Sequence, residues 1–186
     1  MSTPSKPQPS SEAIDRARHI VGWYTLAASA TGAVPIPASS LAIIANNGFM
    51  MAHVSAAIGG PIQWPTVVES LGIAGTLNVA GRAVFIEAAK SLAWGTGSIW
   101  AAAALSAVGA GTAGLQTYVI GLLAIEVARH GGKPLPAAQG AAILAKAKET
   151  YSAFLSEMRS KKISDPGPAP EAQLKVIDGD KVPPET

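Results

Sequence analysis

Apolar residues run through this chain in long blocks that proline and glycine interrupt, rather than charge. Residues 20–33 contain only apolar, small or neutral polar side chains. That block stops at Val34-Pro35-Ile36-Pro37, because a residue before proline is pushed out of the helical region. Upstream, Ser11 reads as the N-cap of a first helix, with Glu12 and Asp15 in its first turn and Arg16 and Arg18 following. Ser39 and Ser40 can cap a second helix that closes at Gly59-Gly60-Pro61. Pro65 is placed to start a third, running to about Trp94, with a kink or break near Gly81. After the turn Gly95-Thr96-Gly97, a fourth helix is predicted over 98–130, stopping at Gly131-Gly132. Pro134 and Pro136 separate it from a fifth, over 137–161. No strand pattern occurs before residue 172.

The fifth helix differs in kind. Ile143, Leu144, Ala147, Tyr151, Phe154, Leu155 and Met158 recur at spacings of three and four, and Lys146, Lys148, Glu149, Glu157 and Arg159 lie largely off that stripe. One face is therefore buried, either against the chain's own bundle or against copies of itself. The expected fold is all-α: an Ala/Gly-rich, oligomeric bundle of about five helices with a disordered N-terminus and an extended C-terminal tail. Its divisions are a Pro/Ser-rich start (1–10), a helical domain (11–134), the amphipathic helix (135–162) and a Pro-rich linker with a tail (163–186). In the tail, Leu174-Lys175-Val176-Ile177 and Lys181-Val182 flank Asp178-Gly179-Asp180, a hairpin signal. A lone hairpin is marginal in water. Leu174, Lys175, Val176, Ile177 and Val182 are accordingly expected to dock on a soluble protein partner, by addition to a sheet edge; the alternative is a frayed tail.

Charge sharpens this picture. Only 14% of residues are charged, against roughly 25% in a typical soluble domain. None of the 26 charged residues falls in 19–68 or 91–125, whereas 146–186 hold 14 of them. Water-facing helices normally carry charge, so these stretches are expected to face lipid, one another or partner subunits. A spanning helix needs about 20 apolar residues. The first block is too short and the second carries Asn46, Asn47 and His53, which leaves 98–127 as the best candidate. The competing reading is the buried helical core of an oligomer. Glu12 and Asp15 ahead of the first apolar run argue against a secretory signal, so the N-terminus is read as uncleaved and cytoplasmic. The expected location is the cytoplasmic face of a bacterial cell membrane.

Chemistry is sparse. Without cysteine there is no thiolate metal site, iron–sulfur cluster, disulfide or thiol nucleophile. A net charge of +2 is too small for a nucleic-acid footprint. His19, His53 and His130 form no HxxxH or HExxH pair, no glycine-rich stretch has a phosphate-cradling form, and no catalytic triad can be nominated. No enzyme activity and no metal or covalently bound cofactor is expected. Ala102, Ser106, Ala110 and Gly114 form a flat stripe that lets helices approach closely. Asn46, His53 and Gln116 are candidates for a polar lining, were the chain a small pore or transporter subunit.

Three stretches stand out within residues 25–134: Ala33-Val34-Pro35-Ile36-Pro37-Ala38-Ser39-Ser40-Leu41, Met51 through Gly60, and Gly109 through Gly121 on to Gly131, with the step Tyr118-Val119-Ile120-Gly121. Together they resemble a bacterial domain of unknown function that often follows GTPase domains in membrane-associated proteins. The sequence departs in having Ser39 or Ser40 where an acidic residue is expected, and in carrying no GTPase domain within its 186 residues. The resemblance implies helical membrane association without catalysis. The layout of Ala/Gly-rich helices and a docking tail is also similar to the membrane-associated stalk subunit of actinobacterial high-affinity uptake nickel–iron hydrogenases. That likeness implies a homo-oligomer at the membrane lipid, holding a soluble redox enzyme and enclosing an apolar chamber for a quinone-like lipid.

Overall fold

The computed structural model describes residues 9–33, 39–60, 62–70 and 99–160, and every regular element among them is a helix. They are α1 (Ser11–Ala33), α2 (Ser39–Ile58), α3 (residues 64–70), α4 (Ile99–Arg129) and α5 (Ala137–Ser160). The all-α fold is thus as expected, and four of the helices start and stop within a residue or so of their sequence signals. The tail residues Leu174, Lys175, Val176, Ile177 and Val182, the break at Gly81 and the remainder of the third helix lie outside the described residues, as do the side chains of Ala102 and Ser106.

The cap of α1 needs a correction. Ser10, not Ser11, closes it: the Ala13 amide donates to Ser10 Oγ at 3.2 Å and the Ile14 amide to the Ser10 carbonyl at 3.1 Å. An N-cap hydroxyl reaches the amide two or three positions on, and only Ser10 stands three before Ala13. Glu12 and Asp15 then lie in the first turns and pair with Arg16 and Arg18 at 3.1 and 3.5 Å. At the end of α2, Gly59 takes φ 76°, and the amides of Gly59 and Gly60 both donate to the Ser55 carbonyl. Gly131 and Gly132 close α4 at φ 69° and 81°, the Gly131 amide donating to the Ala128 carbonyl at 3.0 Å and the Gly132 amide to the Val127 carbonyl at 2.9 Å. Left-handed backbone of this kind is where glycine carries no Cβ penalty.

Small residues set the helix spacing. A Cβ on Gly32 of α1 would stand 2.5 Å from the Gly109 carbonyl oxygen of α4, and one on Gly121 would stand 2.5 Å from the Val21 methyls. Gly114 leaves room for the hydroxyls of Ser29 and Tyr151. Partners rise along α1 (Val21, Ser29, Gly32) as they fall along α4 (Gly121, Gly114, Gly109), so the two helices are antiparallel. Only five residues separate α1 from α2, and Asn46 already reaches the level of Tyr24. Thus α2 runs antiparallel to α1 and alongside α4.

The core forms where these three helices meet. Met50 and Val54 of α2, Val21 of α1, Ile120, Leu123 and Val127 of α4 and Val67 of α3 are all essentially sealed from water. α3 is tied in through Ser70: its hydroxyl donates to the Thr66 carbonyl and accepts the Leu135 amide at 3.0 Å. On α5 the stripe behaves as its spacing requires. Ala147 and Met158 are buried, the other stripe positions are half-buried, and Lys146, Lys148, Glu149 and Glu157 are exposed. The buried face meets the chain's own bundle, with Phe154 stacked on Tyr118 (centroids 4.3 Å apart) and Met158 over Gly22.

Candidate functional site

Six polar side chains of the charge-free helices, Tyr24, Thr25, Asn46, Asn47, His53 and Thr117, meet in the α1–α2–α4 contact. Tyr24 is the hub. Its hydroxyl lies 2.6 Å from His53 Nδ1, the two rings are 5.7 Å apart, and its backbone carbonyl accepts the Asn46 amide at 3.1 Å. One residue along α2, the buried Asn47 turns the other way. Its Oδ1 accepts the Thr117 hydroxyl of α4 at 2.7 Å, with both residues sealed from solvent. Next to Tyr24, the Thr25 hydroxyl is fully buried and makes no hydrogen bond.

This geometry brings together two of the three candidate lining residues. Asn46 and His53 are seven apart, two helical turns, and so share the face of α2 that meets Tyr24. Gln116 is half-buried on α4 and enters none of these contacts. Of the small-residue stripe, Gly114 is buried against Tyr151 and Ser29 and Ala110 is half-buried, so its second half packs within the chain. Sequence reasoning missed Tyr24, Asn47 and Thr117. A tyrosine in a charge-free block facing a histidine-bearing helix was the available signal, but spacing alone cannot pair residues 29 positions apart.

His53 is the one group in the cluster that can change charge near neutrality. Desolvation by burial holds its imidazole below the ordinary value of 6.5. Among the described residues, Tyr24 is the ionisable group that contacts it, and no Asp, Glu, Lys or Arg occurs in 19–68 or 91–125. In the neutral Nε2–H tautomer Nδ1 accepts from Tyr24; protonation makes Nδ1 a donor and reverses that bond. A lowered native value means that the unfolded chain takes up the proton first as pH falls through 6.5. Stability from this site is complete above that pH and declines below it, levelling off once the native imidazole is also protonated. The melting temperature of the purified protein should therefore fall on acidification, and His53→Leu should flatten that part of the profile. An unchanged slope in the variant would rule His53 out as its source.

At the opposite end of α4 lies an ordinary polar clasp. Glu126 accepts from Arg129 at 3.2 Å and from the Gln139 amide at 3.4 Å, fastening the start of α5. Among the described residues no group of three His, Asp or Glu is placed to hold a metal ion. Residues Ala107–Arg129 make one helix long and apolar enough to cross a membrane, with mean hydropathy 1.5 over its best window. Comparison with family models, with curated proteins and with solved structures finds no match to this chain.

Proposed function

We propose that this chain is a non-catalytic, membrane-associated scaffold that self-associates through its helical domain and holds a soluble partner through residues 171–186. The observation that carries this reading is the partition of charge: two stretches of 50 and 35 residues, 19–68 and 91–125, contain no ionised side chain, while the last 41 residues hold 14. Support also comes from the apolar length of α4 and from large apolar side chains left outside the bundle, Ile44 at 63% and Val108 at 51% exposure. Hydrocarbon tolerates such surfaces, and water does not favour them in quantity. The likeness to the GTPase-associated domain and to the hydrogenase stalk adds two finer elements to the proposal. The membrane face is the cytoplasmic one of a bacterium, and the partner is a redox enzyme such as a hydrogenase, served through an apolar chamber for a quinone-like lipid.

Deleting residues 165–186 tests the division of labour. In gently solubilised membranes the full chain should bring down one soluble protein complex at fixed stoichiometry. The truncated chain should lose that partner and stay in the membrane fraction. A truncated chain that becomes freely soluble, or that keeps its partner, would sink the proposal.

A further inference from the structure

The fold sorts the chain along its long axis in a way that the linear sequence does not display. Because α1 and α4 are antiparallel, their uncharged portions point the same way, and the wholly uncharged α2 runs beside them. The C-terminal half of α1, the N-terminal half of α2 and the N-terminal half of α4 form one end of the bundle. α2 is uncharged throughout; charges lie toward the other end on its neighbours, with Arg16 and Arg18 on α1, Glu69 on α3, and Arg129 and Lys133 at the close of α4. α5 starts beside Glu126, and its Thr150–Met158 portion reaches no further toward the uncharged end than Gly114. Its exposed Lys146, Lys148 and Glu149 therefore stay with the charged half.

Among the described residues at the uncharged end, the exposed side chains are small or apolar on the outer face of all three helices: Ala30 on α1, Ile44 and Ala45 on α2, Val108 and Gly111 on α4. The threonines there bond back to their own helices, Thr31 to the Ala27 carbonyl at 2.9 Å and Thr112 to the Val108 carbonyl at 2.7 Å. Hydrocarbon requires such internal satisfaction of polar groups. A second protein copy would cover one side of the end. Among the described residues this exposure is found on the outer face of all three helices, which calls for a medium that surrounds them rather than for a single contact.

We infer that the end of the bundle carrying Ile44 and Val108 is the membrane-inserting surface, buried in the acyl chains of a bilayer with the Arg16–Lys133 end held in water. This rests on the membrane association proposed above and adds its orientation.

The natural absence of cysteine makes single-site labelling direct. Spin labels at Ile44→Cys, Val108→Cys, Arg16→Cys and Lys133→Cys would be read on protein bound to phosphatidylcholine–phosphatidylglycerol vesicles, after flotation. Labels at 44 and 108 should collide with oxygen in preference to a water-soluble nickel chelate, and labels at 16 and 133 should show the reverse. Each of the four sites is at the surface, so the label leaves the fold intact. If the protein floats but labels 44 and 108 meet the nickel chelate, the orientation is wrong while membrane association stands. Shielding of those two labels from both reagents, with dipolar broadening between chains, would replace the bilayer by a second copy. Failure to float overturns the inference together with the reading beneath it.

Discussion

Replacing Gly32 by valine should destabilise the bundle more than any other single methyl-scale change on α1. The Cβ would arrive 2.5 Å from the Gly109 carbonyl oxygen, 2.9 Å from its carbon and 2.7 Å from the Ala113 Cβ. Two of those three atoms are backbone and cannot rotate aside, so the helices must part. Forcing carbon into a packed contact costs about 1–3 kcal/mol, and the two γ-methyls place Gly32→Val toward the upper end. Removing glycine from a helix interior returns only about 1 kcal/mol. The net loss should lower Tm by several degrees in a chain of this size, at about 2–4 °C per kcal/mol. Gly48→Ala and Gly111→Ala are the controls, since a Cβ at either position meets nothing within 4 Å. Both should hold or slightly raise Tm in dilute detergent. A Gly32→Val protein that melts with the wild type would mean that α1 and α4 do not touch at this point.

The second large effect is expected at Tyr118, and it should be local. This residue is 8% exposed, its ring lies flat on Phe154 with planes 22° apart, and Tyr151 approaches to 5.8 Å. Truncating a buried aromatic to alanine costs about 3–5 kcal/mol through lost burial and the cavity left behind, including about 0.5–1.5 kcal/mol for the ring pairing itself. The partners all lie on α5, so Tyr118→Ala should release that helix first. Amide hydrogen exchange across residues 143–158 should accelerate strongly while exchange in the α1–α4 contact changes little. Tyr118→Phe keeps the stack and gives up only the 3.5 Å contact with the Thr150 hydroxyl, so it should exchange nearly as the wild type does. Uniform acceleration in both helix groups would show instead that α5 is integral to the core.

These two sites differ in how far a reader of the sequence alone could have found them. The α5 stripe was plain, because Ile143, Ala147, Tyr151, Phe154 and Met158 repeat with the helical period and need only local counting. That Tyr118 receives it was not plain, since nothing in the uniformly apolar α4 marks one face over another. Gly114 was legible as a close-approach position, but Ser29 and Tyr151 as the groups that approach it were not. The same holds for the polar contact: Asn46 and His53 stood out against an apolar background, whereas Tyr24 and the Asn47–Thr117 bond depended on which helices become neighbours. Even the α1 cap shows the limit of local reading, as two adjacent serines satisfy the same residue preference and only the hydrogen-bond geometry chooses Ser10.

By itself, then, the sequence determined the all-α class and the limits of the helices, because prolines, positive-φ glycines and helical periodicity act within a few residues of where they stand. It also determined the segregation of charge, which is a property of the chain and needs no fold. Tertiary structure decided what meets what. Antiparallel packing of α1 on α4 fixes which glycines touch, which polar groups find partners across 29 or 70 residues, and why two separate uncharged stretches share one end of the bundle. Such choices depend on contacts between distant segments, whose energies only exist once the helices are side by side.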